Sequence, residues 1–144
     1  MLHRIREGKL EVLLVHPGGP FWAKRNEGAW SIPKGEIEPG ETALDVARRE
    51  FEEELGASAP DGELTSLGTI RQAGGKIVHA WSAPGDLDAA TAQSVTFSME
   101  WPPRSGRMQE FPEVDRAAWF DLGEARRMIL PSQLPLLDRL PSHE

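Results

Sequence analysis

Glu50, Glu53 and Glu54 stand at positions i, i+3 and i+4 of one stretch of this chain. On a helix, residues at that spacing are surface neighbours. Like charges so placed repel, and these lie in the C-terminal half of their segment, where the helix dipole disfavours anions. Each effect costs a few tenths of a kcal/mol to roughly one on an exposed helix. A charge run of this kind is commonly a solvated face. The alternative is a hard divalent cation, which takes oxygen ligands and turns the repulsion into attraction. Several local rules broken together mark a functional site.

A turn and a helix must position these acids. Glu38-Pro39-Gly40-Glu41 has turn chemistry, because Pro39 fixes φ and Gly40 tolerates a positive φ. A helix is predicted to begin near Thr42. Leu44, Ala47, Phe51 and Leu55 give it one apolar face, with Glu52 toward solvent. Gly56 follows as the left-handed stop.

The rest of the chain narrows the function classes. With 144 residues, 27% charged and 39% hydrophobic, it has the length of one domain, 1–144, with room for a core. The formal net charge of −7 argues against a nucleic-acid polymer as partner, since that surface needs a basic stripe. A small polyphosphate remains possible where cations neutralise it locally. The chain has no cysteine, so disulfides and thiolate metal sites are excluded. No apolar run reaches the roughly 20 residues of a membrane span, and the start lacks the apolar core of a signal peptide. The expectation is a cytoplasmic protein without a membrane partner. A homodimer is admitted.

Strands are predicted at Leu2–Arg6, Leu10–Val15, Ala29–Ile32, Leu64–Gln72, Lys76–Ser82 and Ser94–Trp101, and one more within Met108–Phe120. The first two form a hairpin, as do the fourth and fifth, with Gly68 a candidate bulge. Asp121 and Glu124 have the spacing of a capping box for a helix through Ile129, and a last helix covers Gln133–Leu140. Helices alternate irregularly with hairpins, which argues for an α+β fold with a mixed sheet flanked by helices.

The segment Gly35 to Ala57 resembles the signature of the Nudix hydrolases: Gly, five residues, Glu, seven residues, then Arg-Glu-U-x-Glu-Glu-x-Gly-U, where U is bulky and apolar. Gly35, Glu41, Arg49, Glu50, Phe51, Glu53, Glu54 and Gly56 match without a gap, and Ala57 alone is smaller than the usual residue. The box covers about one-sixth of the chain. The flanking Trp30-Ser31-Ile32-Pro33-Lys34 and the strand pattern extend the likeness.

The resemblance implies an α/β/α sandwich and a metal-dependent pyrophosphohydrolase. Its substrate would be a nucleoside diphosphate joined to another group, with Mg²⁺ (or Mn²⁺) as cofactor. It makes Glu50, Glu53 and Glu54 the metal cluster, with Glu50 a ligand, a base or both. The Gly35 carbonyl is a further candidate ligand. Arg49 and Glu41 would pair across the turn to orient the glutamates. Glu113, six residues before Trp119, or else Glu110, would add one more acid. Lys34 stands where many members have Gly, a variant similar to members acting on dinucleoside polyphosphates or diphosphoinositol phosphates. An ammonium there could meet a phosphate beyond the bond being cut. Lys24, Arg25 and Arg71 are candidate phosphate contacts, weighed against ordinary solvated charges. Two other readings stand beside the enzyme: a nucleotide-binding sensor that does not turn over, and a dimeric scaffold with a fortuitous acidic helix.

Overall fold

A computed structural model describes residues 1–34, 40–59, 64–72 and 74–140. Strands β1 (Leu2–Arg6), β2 (Lys9–Pro17), β3 (Thr65–Arg71), β4 (Ile77–Pro84) and β7 (Val114–Asp121) form one sheet in the order β3-β4-β1-β2-β7. The β1–β4 pair is parallel, and the other pairs are antiparallel. The sheet is therefore mixed. Strands β5 (Thr96–Glu100) and β6 (Met108–Pro112) pair in a hairpin of their own.

The apolar run on β2 explains the layering. Val12 and Leu14 face one core with Ala125, Met128, Leu136 and Leu137. Leu13 and Val15 face the other with Phe51 and Leu55. A strand covered on both faces reads as a continuous apolar run. Helix α1 (Ala43–Leu55) covers one face; α2 (Leu122–Met128) and α3 (Leu134–Asp138) cover the other. This is the expected α/β/α sandwich.

Both predicted hairpins form, and the β3–β4 register shifts between Ser66 and Gly68, where the bulge was expected. The Asp121 side chain accepts from Glu124 N at 2.9 Å and caps α2. Three expectations need correction. Ala29–Ile32 makes only two isolated bridges, because Ser31 pairs with Val15 while Trp30 turns to Ile129 on the other side. Met108–Phe120 is two strands broken at Glu113, where the chain leaves the β5 hairpin and joins β2. The buried face of α1 is Val46, Glu50, Phe51 and Leu55, whereas Leu44 is only half-buried. The helix is rotated from the expected face, and the rotation carries Glu50 inward.

Candidate metal centre

Helix α1 starts with a reciprocal cap. Thr42 Oγ1 accepts from Asp45 N at 3.1 Å, and Asp45 accepts from Thr42 N at 3.2 Å. It stops at Gly56, with φ +67°. Its last carbonyls are taken by the segment before β5: Gln93 N donates to Leu55 O at 3.1 Å and Val95 N to Glu53 O at 2.8 Å. The same segment fixes the β6–β7 corner. Glu113 N donates to Val95 O, and Gly18 N donates to Glu113 O, both at 2.9 Å. A line of backbone hydrogen bonds thus runs from α1 through Val95 and Glu113 to the end of β2.

That line brings Glu113 to the helix. One carboxylate oxygen from each of Glu50, Glu54 and Glu113 lies within 4.8 Å of the other two. Glu50 and Glu54 are one helical turn apart, so they share the face that looks at the corner. Glu53 lies on the flank instead, with Oε2 3.4 Å from the Arg49 guanidinium. Glu110 sits on β6 opposite Ser98 and is exposed.

The crowding shows in the proton affinities. Burial, then the nearby Glu50 charge, pushes the Glu54 carboxyl up to about 8, against the pull of the Lys34 N–H and ammonium. Burial and the Glu53 charge also raise Glu50, which Arg49 opposes. Lys34 N donates to Glu54 Oε2 at 3.0 Å and ties the segment before the box to the cluster. The donor set is oxygen only, from three converging carboxylates, with the Arg49 guanidinium against Glu50. It fits a hard divalent ion.

Arg49 spans the approach. Its Nε and Nη2 grip the two Glu41 oxygens at 2.9 and 3.0 Å, and Nη1 reaches Glu50 Oε1 at 2.8 Å. Such a fork orients Glu50 as a lysine could not. Gly35 lies outside the described residues.

The sequence matches the family model for the NUDIX domain over residues 2–140. The chain belongs to the Nudix family. Its Nudix box carries the acids just described. Among curated relatives, an RNA pyrophosphohydrolase from Erythrobacter litoralis is 57% identical over 35 residues, 24% of this chain and 21% of that protein. One from Legionella pneumophila is 42% identical over 53 residues, 36% of this chain and 29% of that protein. The matched stretch is thus less than a third of either relative. Solved structures agree over far more of the fold. A C. elegans Ap4A hydrolase binary complex has a TM-score of 0.64 at 24% identity, covering 96% of this chain and 89% of that one. The NUDIX domain of Shewanella oneidensis NrtR complexed with ADP ribose has a TM-score of 0.62 at 21% identity, covering 96% and 80%.

The cations singled out in the sequence are scattered around this Nudix site. Lys34 adjoins it through its backbone. Lys24 and Arg25 are exposed on the loop after β2, with the Arg25 guanidinium 5.5 Å from the Trp22 ring. Arg71 is exposed at the end of β3. Among the described contacts, none links these three side chains to the carboxylates.

Sequence reasoning missed two buried polar residues. His16 is fully buried, its Nδ1 2.8 Å from Asp115 Oδ1 and its Nε2 2.6 Å from Arg25 O. It anchors the Lys24–Arg25 loop two residues from Glu113. Gln133 is fully buried, and its Oε1 accepts from Ile32 N just before the box. Neither belongs to a motif, and only the pairing of distant elements brings them here.

The Arg49 fork gives a direct expectation. Arg49→Lys keeps the charge but loses the two-point grip on Glu41, and turnover should fall about 10-fold or more. Steady-state assays at saturating Mg²⁺ would check it. Wild-type turnover in the Lys variant would mean that the fork does not orient the site.

Proposed function

We propose that this Nudix protein is a Mg²⁺-dependent pyrophosphohydrolase acting on a nucleoside or dinucleoside polyphosphate, with Mn²⁺ able to substitute. The observation that carries the reading is the convergence of Glu50, Glu54 and Glu113 within 4.8 Å. These three would hold the cation, with Glu53 and the Gly35 carbonyl as further candidates. The cation would supply charge neutralisation for the polyphosphate and a more acidic water.

The chain's own residues would do the rest. Glu50, buried and braced by Arg49, is suited to take the proton of the attacking water or to share in holding the ion. Arg49 and Glu41 keep its carboxylate from swinging away. The Lys34 ammonium is available for a phosphate next to the scissile anhydride. Lys24, Arg25 and Arg71 would meet the distal part of the substrate.

No described helix is long and apolar enough to cross a membrane. A cytoplasmic setting, where nucleotide polyphosphates occur with Mg²⁺, goes with the reading.

A panel assay with Mg²⁺ tests it. The panel holds nucleoside triphosphates and their oxidised forms, dinucleoside polyphosphates, ADP-ribose, nucleotide sugars and inositol pyrophosphates. RNA with a 5′-triphosphate belongs in it too, because the curated relatives are RNA pyrophosphohydrolases. The expected result is Mg²⁺-dependent cleavage, with one oxygen of solvent water in a phosphate product. Tight binding of a panel member without turnover would favour the sensor reading.

A further inference from the structure

The Lys34 N–H donates to the Glu54 carboxylate, and it sits on a segment with little secondary structure of its own. Residues 29–34 make isolated bridges only, so a pleated ladder does not fix Lys34. Something else must hold it within hydrogen-bond distance of Glu54.

Gln133 is placed to do so. Its Oε1 accepts from Ile32 N at 3.0 Å. Its Nε2 donates to Ser31 Oγ at 2.9 Å and to Gln72 Oε1 at 3.0 Å. Both amide hydrogens and one carbonyl lone pair are thereby used. Only Pro33 separates Ile32 from Lys34, and its ring locks φ near −65°. A hold on Ile32 is therefore passed stiffly to Lys34. Gln133 lies on the short helical turn Pro131–Gln133 just before α3, on the side of the sheet opposite α1. Its own backbone is pinned, with N donating to Leu130 O at 2.9 Å, while Leu130 N donates to Trp30 O at 2.7 Å.

We infer that Gln133 is a positioning residue for the metal centre: it holds Ile32 so that Lys34 N fixes the Glu54 carboxylate. It touches neither ion nor substrate. Groups that orient a ligand from behind typically change metal affinity 10–100-fold when removed. The inference rests on the metal reading proposed above, but one of its observables does not.

Gln133→Met is the test, since it keeps the length and removes all three side-chain hydrogen bonds. Gln133→Asn is its companion, for the case in which the methionine variant does not fold. In the folded variant, the Lys34 amide proton should move upfield and exchange faster with solvent, read by NMR without metal. Mn²⁺ binding in the absence of substrate, followed by calorimetry, should weaken about 10-fold or more. A residue that merely packs the core would lower the melting temperature without moving the Lys34 amide. An unchanged Lys34 amide in a folded variant overturns the inference, whatever the metal does. Wild-type protein that binds no Mn²⁺ would instead overturn the proposed function, and the amide would still decide the role of Gln133.

Discussion

Glu54→Gln should cut turnover at least about 100-fold, at or beyond the upper end of what losing a mere orienting group costs. The same variant, free of metal, should melt higher than the wild type at pH 8.5. The two effects share one cause. The Glu54 carboxyl is raised from 4.5 to about 8 by burial and by Glu50. An acid whose folded pKa lies above its unfolded value binds its proton more tightly when folded. The unfolded chain gives up that proton near pH 4.5, whereas the fold holds it to about pH 8. Metal-free stability therefore falls as pH rises through that window and levels off above it. Glu54 is half-buried, so solvent screens part of the penalty, leaving about 2 kcal/mol at pH 8.5. The amide removes the penalty, keeps an acceptor for Lys34 N, and should raise the melting temperature by about 5 °C. Near pH 4.5 the two proteins should melt together. Added Mn²⁺ should stabilise the wild type and leave the variant nearly unmoved. Paired melting curves from pH 4.5 to 8.5, with and without Mn²⁺, check all of this. A variant that melts no higher at pH 8.5 would mean that burial does not strain the Glu54 carboxylate.

How legible was this in the sequence? The box was, because its signal is local. The helix, its left-handed stop at Gly56 and the crowded acids all follow from spacing within 23 residues, Gly35 to Ala57. The sandwich was legible for a similar reason, since the run on β2 can be apolar at every position only if both faces are covered. The membership of the acid cluster was not. Position along the chain marks Glu50, Glu53 and Glu54 alike, but the side on which α1 packs decides which of them face Glu113. That side follows from Val46 and Phe51 meeting the sheet, a tertiary fact. The split at Glu113 was less legible: Pro112 marks a possible break, but the change of partner from β5 to β2 is a tertiary fact. Gln133 stands about a hundred residues from the segment it grips, and an isolated glutamine carries no signal of its own.

The corner at Glu113 also leaves no room for a side chain at Gly18. A Cβ on Gly18 would lie 2.0 Å from the Pro112 carbonyl oxygen and 3.0 Å from its carbon. No flexible side chain can yield there, because the obstacle is backbone. The next residue is bound on both sides, through Glu113 N to Val95 and Glu113 O to Gly18 itself. Gly18→Ala must therefore push the β6–β7 corner off the end of β2. Overpacking of this kind costs about 2–3 kcal/mol, which lowers the melting temperature by about 6–10 °C. Glu113 must move with the corner, so Mn²⁺ affinity should drop about 10-fold or more in protein that is still folded. Gly28→Ala is the control. It sits at positive φ, +71°, and a Cβ there meets nothing within 4 Å. That change should cost only about 1–2 kcal/mol of backbone strain and leave metal binding alone. If Gly18→Ala melts lower yet binds Mn²⁺ like the wild type, the corner carries no ligand and Glu113 leaves the site. If both variants lose metal together, the loss follows general loosening and says nothing particular of the corner. The ordering of the two affinities, not either melting point, identifies the fourth carboxylate that the box alone does not name.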